Sequence, residues 1–187
     1  MIERKLVERV ASVHGVIVDG TFYRHAAPNR EAFLGGEGGR WGETFPVIYL
    51  GSPESSAVIE AYRHLVEATG IPPALVRPRT LYTVNVRVSK VLDLRDPKNL
   101  EGIGLQSEDL SSDVDDYARC QAVAAAAHQL QFHGIVAPAA HGAGDTLALF
   151  RDRLSVSEIP VPHRQKTWEK LPADPRRLRS VQPRDAS

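Results

Sequence analysis

Three side chains between residues 38 and 60 have the chemistry needed to act on a dinucleotide. Arg40, Tyr49 and Glu60 follow one another along this stretch, and the surrounding sequence predicts a loop, a strand and a helix at their positions. A guanidinium suits a phosphate, an aromatic ring suits a flat heterocycle and a carboxylate suits a cation. A dinucleotide whose glycosidic bond breaks to leave a cationic sugar needs all three.

Each of these residues also has an ordinary structural interpretation. Glu60 is predicted near the margin of an apolar helix face, where a plain surface glutamate is an equal alternative. By default Tyr49 is a core residue of a short apolar strand, and Arg24 is a strand-edge arginine that extends to solvent. The glycine-rich stretch before Arg40 and Trp41 lacks the Gly-Lys-Ser/Thr ending of a P-loop, so alone it is weak support for phosphate binding.

Four elements must position these side chains. Residues 21–25 predict a strand that carries Arg24, and residues 35–42 predict a glycine-rich loop. After a proline, residues 47–50 predict a short buried strand. Ser-Pro-Glu at residues 52–54 is typical of a helix start, and Gly70 is expected to end that helix.

The rest of the chain shows helices and strands without a regular alternation, which favours a mixed α+β domain over a doubly wound sheet. Its hydrophobic content of 42% is enough for a buried core. We predict one domain over residues 1–159, followed by a proline- and arginine-rich tail over residues 160–187. The further predicted elements are a helix over 2–13, a strand over 81–88, a loop over 95–116, a helix over 117–132, and strands over 135–137 and 146–150.

The composition argues against several classes of protein. The 187 residues contain 23 Lys and Arg and 23 Asp and Glu, so net charge gives no argument for nucleic acid or an anionic membrane. No segment approaches the roughly 20 apolar residues that span a bilayer, and the N-terminus lacks the apolar run of a signal peptide. A single cysteine, Cys120, fits a reducing compartment. We therefore predict a cytoplasmic protein.

Metal and nuclease sites have weaker support in the sequence. A ribonuclease using His25, Arg24 and Glu60 is conceivable because histidine can act as a general acid or base, although the neutral charge does not favour it. No metal is expected, because the remaining histidines and the acidic run lack the spacing of zinc or calcium sites. Those residues are His128, His133, His141, His163, Asp109, Asp113, Asp115 and Asp116.

Six short motifs occur in a fixed order between about residues 20 and 150. Each motif alone is unspecific, but the ordered set resembles the RES-domain family, the toxins of bacterial RES–Xre toxin–antitoxin pairs. The resemblance is strongest to members that act on NAD. The motifs are Phe22-Tyr23-Arg24, Gly39-Arg40-Trp41, Val47-Ile48-Tyr49-Leu50, Ala57-Val58-Ile59-Glu60, Cys120-Gln121-Ala122-Val123 and Gly134-Ile135-Val136-Ala137-Pro138-Ala139-Ala140.

This resemblance implies a fold similar to bacterial ADP-ribosyltransferase toxins, with a mixed, split β-sheet core and NAD held in a cleft as the substrate. It implies cleavage of the nicotinamide–ribose bond, with water, phosphate or a protein side chain as the acceptor. The implied partner is an Xre-like helix-turn-helix antitoxin that blocks the cleft within a larger toxin–antitoxin assembly. An ADP-ribosyltransferase, a ribonuclease and an inactive binding module remain alternatives.

The resemblance also implies a role for each candidate residue. Glu60 stabilises the ribosyl cation and binds the ribose hydroxyls, and Tyr49 stacks on nicotinamide. Arg24 and Arg40 hold the diphosphate, and Trp41 either packs in the core or lies under the adenine, with core packing placed first. The chain departs from the family pattern after Pro138, because the expected serine is Ala139.

Overall fold

The computed structural model describes residues 3–28, 31–111, 117–140 and 144–178. These residues form a six-stranded mixed sheet with short helices, which confirms the predicted mixed α+β class. None of the helices in these ranges is long and apolar enough to span a bilayer. The strands are β1 (Val16–Ala26), β2 (Val47–Ser52), β3 (Arg79–Asp93), β4 (Gly134–Pro138), β5 (Asp145–Phe150) and β6 (Pro162–Trp168). The helices are α1 (Arg4–Ala11), α2 (Glu54–Tyr62), α3 (Pro97–Ile103), α4 (Ser107–Ser111), α5 (Ala118–Gln129) and α6 (Pro175–Leu178).

The long strand β3 organises the sheet. It pairs with β1 and β6 in antiparallel orientation and with β4 in parallel orientation. Val84, Val86 and Val88 are buried, whereas Asn85 and Arg87 between them are exposed, which confirms the predicted strand. The pairings β1–β2–β5–β4–β3–β1 return to their first strand, and β6 lies outside this circuit on an edge of β3.

The circuit is weakest between β1 and β2. Within the described residues, these two strands are paired at one position, Tyr23 with Gly51, whereas β1 pairs with β3 from Val16 to Ala26. The opposite edge of β2 is fully paired with β5. The sheet therefore opens along the side of β2 that faces β1, and a cavity can form there.

Helix α5 covers one face of the sheet. Its Cys120, Val123, Ala124 and Ala127 are buried, and their small volumes allow close packing of the helix against its neighbours. Helix α1 packs against α5 and adds Val10 to the same core. The predicted alanine-rich helix is therefore confirmed.

The prediction that residues 95–116 are mostly loop is wrong for residues 95–111, because α3 and α4 occupy most of that range, and residues 112–116 lie outside the described residues. Leu100 is buried in the core, which holds α3 against the rest of the domain. Asp96 Oδ1 accepts a hydrogen bond from the Lys98 amide and so caps the start of α3. Gly104 ends the helix in the left-handed conformation with φ of 94°.

The sheet continues past the predicted domain boundary at residue 159. Strand β6 pairs with β3 between Arg79 and Val84, and Trp168 at its end is only 3% exposed. Residues 163–167 of this strand are exposed, which is why an edge strand looks like a polar tail in the sequence. The structure describes the predicted tail as far as residue 178.

Candidate active site

A cavity of about 450 Å³ lies where β1 and β2 diverge, a size typical of small-molecule sites. Its walls come from β1, β2, α2, the loop at residues 38–41 and the end of β4. All the predicted site residues line it: Arg24, Arg40, Trp41, Tyr49 and Glu60. The fold therefore brings together side chains that are as many as 36 positions apart in the sequence (60 − 24).

The turn from β2 into α2 places Tyr49 and Glu60 on adjoining walls. Gly51 allows a close approach at this turn, because a Cβ atom there would lie 3.0 Å from the Ser56 Cβ atom, which is tighter than ordinary van der Waals contact. The absence of a side chain lets the first turn of α2 pack directly on the strand. The helix starts at Glu54 and its N-cap is Pro53, with no side-chain cap hydrogen bond.

The glycine-rich loop is locked to Tyr49. The Tyr49 hydroxyl accepts a hydrogen bond of 2.9 Å from the Trp41 amide, and a Cβ atom on Gly39 would overlap that hydroxyl. Gln121 Nε2, on α5, donates to the Gly39 carbonyl at 3.2 Å. Burial raises the pKa of Tyr49, so the hydroxyl remains protonated at neutral pH.

Both predicted phosphate-binding arginines are oriented by main-chain carbonyls. Arg24 Nη1 donates to the Tyr49 carbonyl at 2.8 Å and so crosses the gap between β1 and β2. Arg40 Nη1 donates to the Asp109 carbonyl at 2.6 Å, and its guanidinium carbon lies 4.4 Å from the centre of the Tyr117 ring. These contacts fix the guanidinium groups in advance of any ligand.

Trp41 is almost entirely buried, with 2% of its surface exposed, although one part of it reaches the cavity. It belongs to the hydrophobic cluster that includes Phe45 and Val47. Its burial leaves little of the indole surface available for stacking on a ligand.

Glu60 is held by two basic side chains of the following helical turn. Arg63 Nη1 lies 3.4 Å from Glu60 Oε1, and His64 Nε2 lies 3.1 Å from Glu60 Oε2. Burial alone would raise the pKa of Glu60, but the hydrogen bond from His64 and the charge of Arg63 outweigh burial and lower it. The carboxylate is therefore ionised at neutral pH, as a group that stabilises a cation must be.

His25 lines the cavity in a neutral form. Burial, reinforced by the charges of Arg79 and Arg24, lowers the pKa of His25 to about 3. Its Nδ1 atom accepts a hydrogen bond of 3.3 Å from Arg79 Nε, and its ring lies against Trp168 at a centroid distance of 6.2 Å. A histidine in this state is not charged at neutral pH, so it cannot act there as the general acid of a ribonuclease.

Arg63, His64 and Tyr117 are cavity residues that the sequence analysis did not select. Arg63 and His64 follow Glu60 by three and four positions, the spacing at which helical side chains are neighbours. This spacing is a signal that could have identified them. Ala139, at the position of the family serine, also lines the cavity and offers no hydroxyl group.

Two further histidines, His128 and His133, have structural partners. His128 Nε2 contacts Asp152 Oδ2 at 2.8 Å, and His133 Nδ1 contacts Glu158 at 3.0 Å. Across residues 3–28, 31–111, 117–140 and 144–178, no group of three or more His, Cys, Asp or Glu side chains is placed to hold a metal ion. Four residues considered as metal ligands lie outside the described residues: Asp113, Asp115, Asp116 and His141.

Comparison with known proteins gives consistent matches over most of the chain. The family model described as RES domain matches residues 13–169. The NAD(+) phosphorylase MbcT of Mycobacterium tuberculosis is 33% identical over 168 residues, which are 86% of this chain and 89% of that protein. The Mycobacterium bovis protein of the same name has the same identity and coverage.

The structural match has a similar extent. A chain in the crystal structure of the M. tuberculosis MbcT–MbcA toxin–antitoxin complex superposes with a TM-score of 0.77 and 29% sequence identity. The match covers 90% of this chain and 94% of that chain. The segment matched by the family model, residues 13–169, includes all the residues that line the cavity.

Proposed function

This chain belongs to the RES domain family, and we propose on that basis that it is a toxin that destroys NAD by cleaving the nicotinamide–ribose bond. The observation that carries the proposal is the ionised Glu60 carboxylate, which shares one cavity with Tyr49 and the two oriented arginines. The relatives named NAD(+) phosphorylase support the same substrate. NAD is a substrate here, and the proposed reaction uses no metal.

Glu60 is the proposed catalytic carboxylate. When nicotinamide leaves, positive charge develops on the ribosyl carbon and ring oxygen. An ionised carboxylate in a partly desolvated cavity stabilises that charge more strongly than water does. Because the pKa of Glu60 is lowered, the group keeps its charge through the neutral range.

Arg24, Arg40 and Tyr49 are the proposed binding groups. The two guanidinium groups supply charge-assisted hydrogen bonds to the diphosphate, and Tyr49 supplies a ring surface for nicotinamide. The Tyr49 hydroxyl is engaged by the Trp41 amide, so the tyrosine acts through its ring and its position and not by transferring a proton. Trp41 is proposed to shape the 38–41 loop, since it is almost completely buried.

Phosphate is the acceptor in this proposal. A base that takes a proton from water assists hydrolysis, and the lowered pKa values of Glu60 and His25 make these two groups poor bases. Hydrogenphosphate is already an anion and attacks without losing a proton. The names of the mycobacterial relatives, which are phosphorylases, agree with phosphate as the acceptor.

We further propose that an antitoxin controls the enzyme by covering the cavity. The similar solved chain was crystallised in a toxin–antitoxin complex, which supports a partner of this kind. The proposal also includes a helix-turn-helix antitoxin of the Xre type, a higher-order assembly, and a sheet that resembles the split sheet of bacterial ADP-ribosyltransferase toxins. Because NAD is an intracellular metabolite, we propose the cytoplasm as the place of action. Strand β6 supports a domain that extends to Trp168.

The direct test is to incubate purified protein with NAD, with and without inorganic phosphate, and to quantify nicotinamide and ADP-ribosyl phosphate. We expect nicotinamide release that increases with phosphate and an equal amount of ADP-ribosyl phosphate. Release without the phosphorylated product would indicate hydrolysis, and label transferred to added protein would indicate ADP-ribosylation. Intact NAD under all conditions, or cleavage of added RNA instead, would contradict the proposal.

A further inference from the structure

The two basic side chains beside Glu60 have a feature that the cleavage step does not explain. Arg63 lines the cavity with its side chain only 14% exposed, yet its one side-chain hydrogen bond within the described chain is the 3.4 Å contact to Glu60. Charge-assisted hydrogen bonds between a guanidinium and a carboxylate are usually 2.7–2.9 Å long. Arg63 is therefore a nearly buried cation that is only loosely engaged by its carboxylate neighbour.

His64 lies on the other side of the Glu60 carboxylate and is more exposed than Arg63. Its Nε2 atom contacts the other oxygen of the Glu60 carboxylate at 3.1 Å, while 60% of its side chain is exposed and it also lines the cavity. The Nε2–H group donates a hydrogen bond to the ionised carboxylate, so this nitrogen is not available as a base. The ring thus lies at the rim of the cavity, between solvent and the carboxylate.

The turn that carries both residues departs from the α-helix that precedes it. Arg63–Glu67 form a π-helical turn, in which the Ala68 amide donates to the Arg63 carbonyl at 2.9 Å. Such turns occur frequently at functional sites. The change of helix geometry starts at Arg63, directly after the part of α2 that carries Glu60.

An anionic acceptor needs cations at this place. Glu60 is negatively charged, so a phosphate that approaches the adjacent ribosyl carbon is repelled by it unless positive donors lie nearby. Arg24 and Arg40 belong to β1 and the glycine-rich loop, and they contact the carbonyls of Tyr49 and Asp109. Among the described residues, Arg63 is the permanent cation that touches the carboxylate itself, and His64 adds a second ring donor there when it is protonated.

We propose that Arg63 and His64 form an acceptor subsite that binds inorganic phosphate beside Glu60. The inference rests on the proposed NAD-cleaving function and adds the site of its second substrate. An oxygen atom of hydrogenphosphate forms the new bond to the ribosyl carbon while the carbon–nitrogen bond to nicotinamide breaks. The electron pair of that bond goes to the pyridinium nitrogen, so nicotinamide leaves neutral, ADP-ribosyl phosphate forms, and no proton is transferred.

The test compares the phosphate dependence of Arg63→Gln, Arg63→Lys and the wild type at saturating NAD. We expect Arg63→Gln to raise the half-saturating phosphate concentration about tenfold or more, the usual effect of losing a charged hydrogen-bond donor, and Arg63→Lys to recover part of the loss. Arg87→Gln is the matched control, because Arg87 is an exposed arginine that pairs with Asp19 away from the cavity. It should match the wild type.

Two results would overturn the subsite. One is a half-saturating phosphate concentration in Arg63→Gln within twofold of the wild type. The other is an equal rise in the half-saturating concentrations of NAD and phosphate, which would make Arg63 a residue that only positions Glu60. If Arg63→Gln does not fold, His64→Gln replaces it, since His64 is mostly exposed and should show a smaller rise in the same direction. Failure of the proposed function is distinguishable, because the wild type itself would then release no nicotinamide.

Discussion

Two glutamates of this protein have lowered pKa values and opposite surroundings. Glu158 is 9% exposed, and its carboxylate accepts hydrogen bonds from the amide and hydroxyl groups of both Ser89 and Ser155 and contacts His133. Glu60 is 35% exposed, lies on a cavity wall and contacts Arg63 and His64. The comparison shows that ionisation alone does not identify a functional carboxylate.

The two carboxylates differ in how much of their hydrogen-bonding capacity is left for a ligand. The hydrogen bonds to Glu158 come from its own short helical turn and from β3, so this carboxylate joins two parts of the fold. The Glu60 carboxylate has longer contacts from one side, at 3.1 and 3.4 Å, and opens to the cavity. A carboxylate whose acceptor sites are all used by the protein stabilises the fold, whereas a carboxylate in a cavity with acceptor sites left can bind a cation.

The largest expected effect is on catalysis at Glu60. Glu60→Gln removes the negative charge while keeping the shape of the side chain, so we expect nicotinamide release to fall by about 10²–10³-fold with little change in melting temperature. Glu54→Gln is the matched control on the same helix, because Glu54 is exposed and does not line the cavity. Equal activity of Glu60→Gln and the wild type would show that Glu60, like Glu158, has no role in the reaction.

The next effect is on stability at Glu158. Glu158→Ala removes the acceptor of hydrogen bonds from Ser89, Ser155 and His133, and water can replace it at the two exposed serines, so we expect a loss of about 1–2 kcal/mol in the free energy of unfolding. Nicotinamide release per folded molecule should remain unchanged. Glu8→Ala is the control, because Glu8 pairs with Arg4 at the surface and should cost well under about 1 kcal/mol. Urea unfolding measures all three proteins.

Part of the stability from Glu158 should depend on pH. Burial alone would raise the pKa of Glu158, but hydrogen bonds from Ser89 and Ser155 outweigh it and lower the pKa to about 2. Because the folded-state pKa lies below the unfolded one, the contribution is present above about pH 4.5 and is lost as the pH falls towards 2. Glu158→Gln should flatten this part of the stability curve, and an unchanged acid transition would argue against the assignment.

The smallest expected effect concerns the loop that holds Tyr49. Gly39→Ala introduces a methyl group against the Tyr49 hydroxyl, so the ring or the loop must move, and we expect about a tenfold fall in kcat/KM for NAD. Gly36→Ala is the matched control in the same loop, because a Cβ atom there meets nothing within 4 Å. Similar kinetics for the two variants would show that the fit between Gly39 and Tyr49 is unimportant.

Local sequence patterns predicted much of this architecture. Alternation in β3 and the alanine-rich face of α5 were sufficient because each element buries a regular face. Helix α3 was missed although its Asp-Pro start at residues 96–97 and Gly104 at its end are ordinary helix signals. The helix has seven residues, of which Leu100 and Ile103 are buried, so it is too short to show a clear helical period of apolar residues among its polar neighbours.

The sequence predicts which residues form the candidate site, but it does not predict how those residues contact one another. Arg24, Arg40, Tyr49 and Glu60 were selected by residue type and by family resemblance, and the fold gathers them around one cavity. The contact from Arg24 to the Tyr49 carbonyl joins residues 25 positions apart, and it depends on how two strands diverge. No local pattern encodes such a contact, because it is a product of the tertiary structure.

The opening between β1 and β2 leaves a strand edge that must be protected from pairing with another molecule. The main-chain groups on the edge of β2 that faces β1 have different partners along the strand. Val47 exchanges main-chain hydrogen bonds with Gly36, the Tyr49 carbonyl accepts from Arg24, and Gly51 pairs with Tyr23. Loop and side-chain groups thus occupy an edge that would otherwise be a template for intermolecular β-sheet formation. The hydrogen bond from Arg24 to the Tyr49 carbonyl therefore does more than orient a guanidinium, because it also occupies an acceptor that another strand could otherwise use.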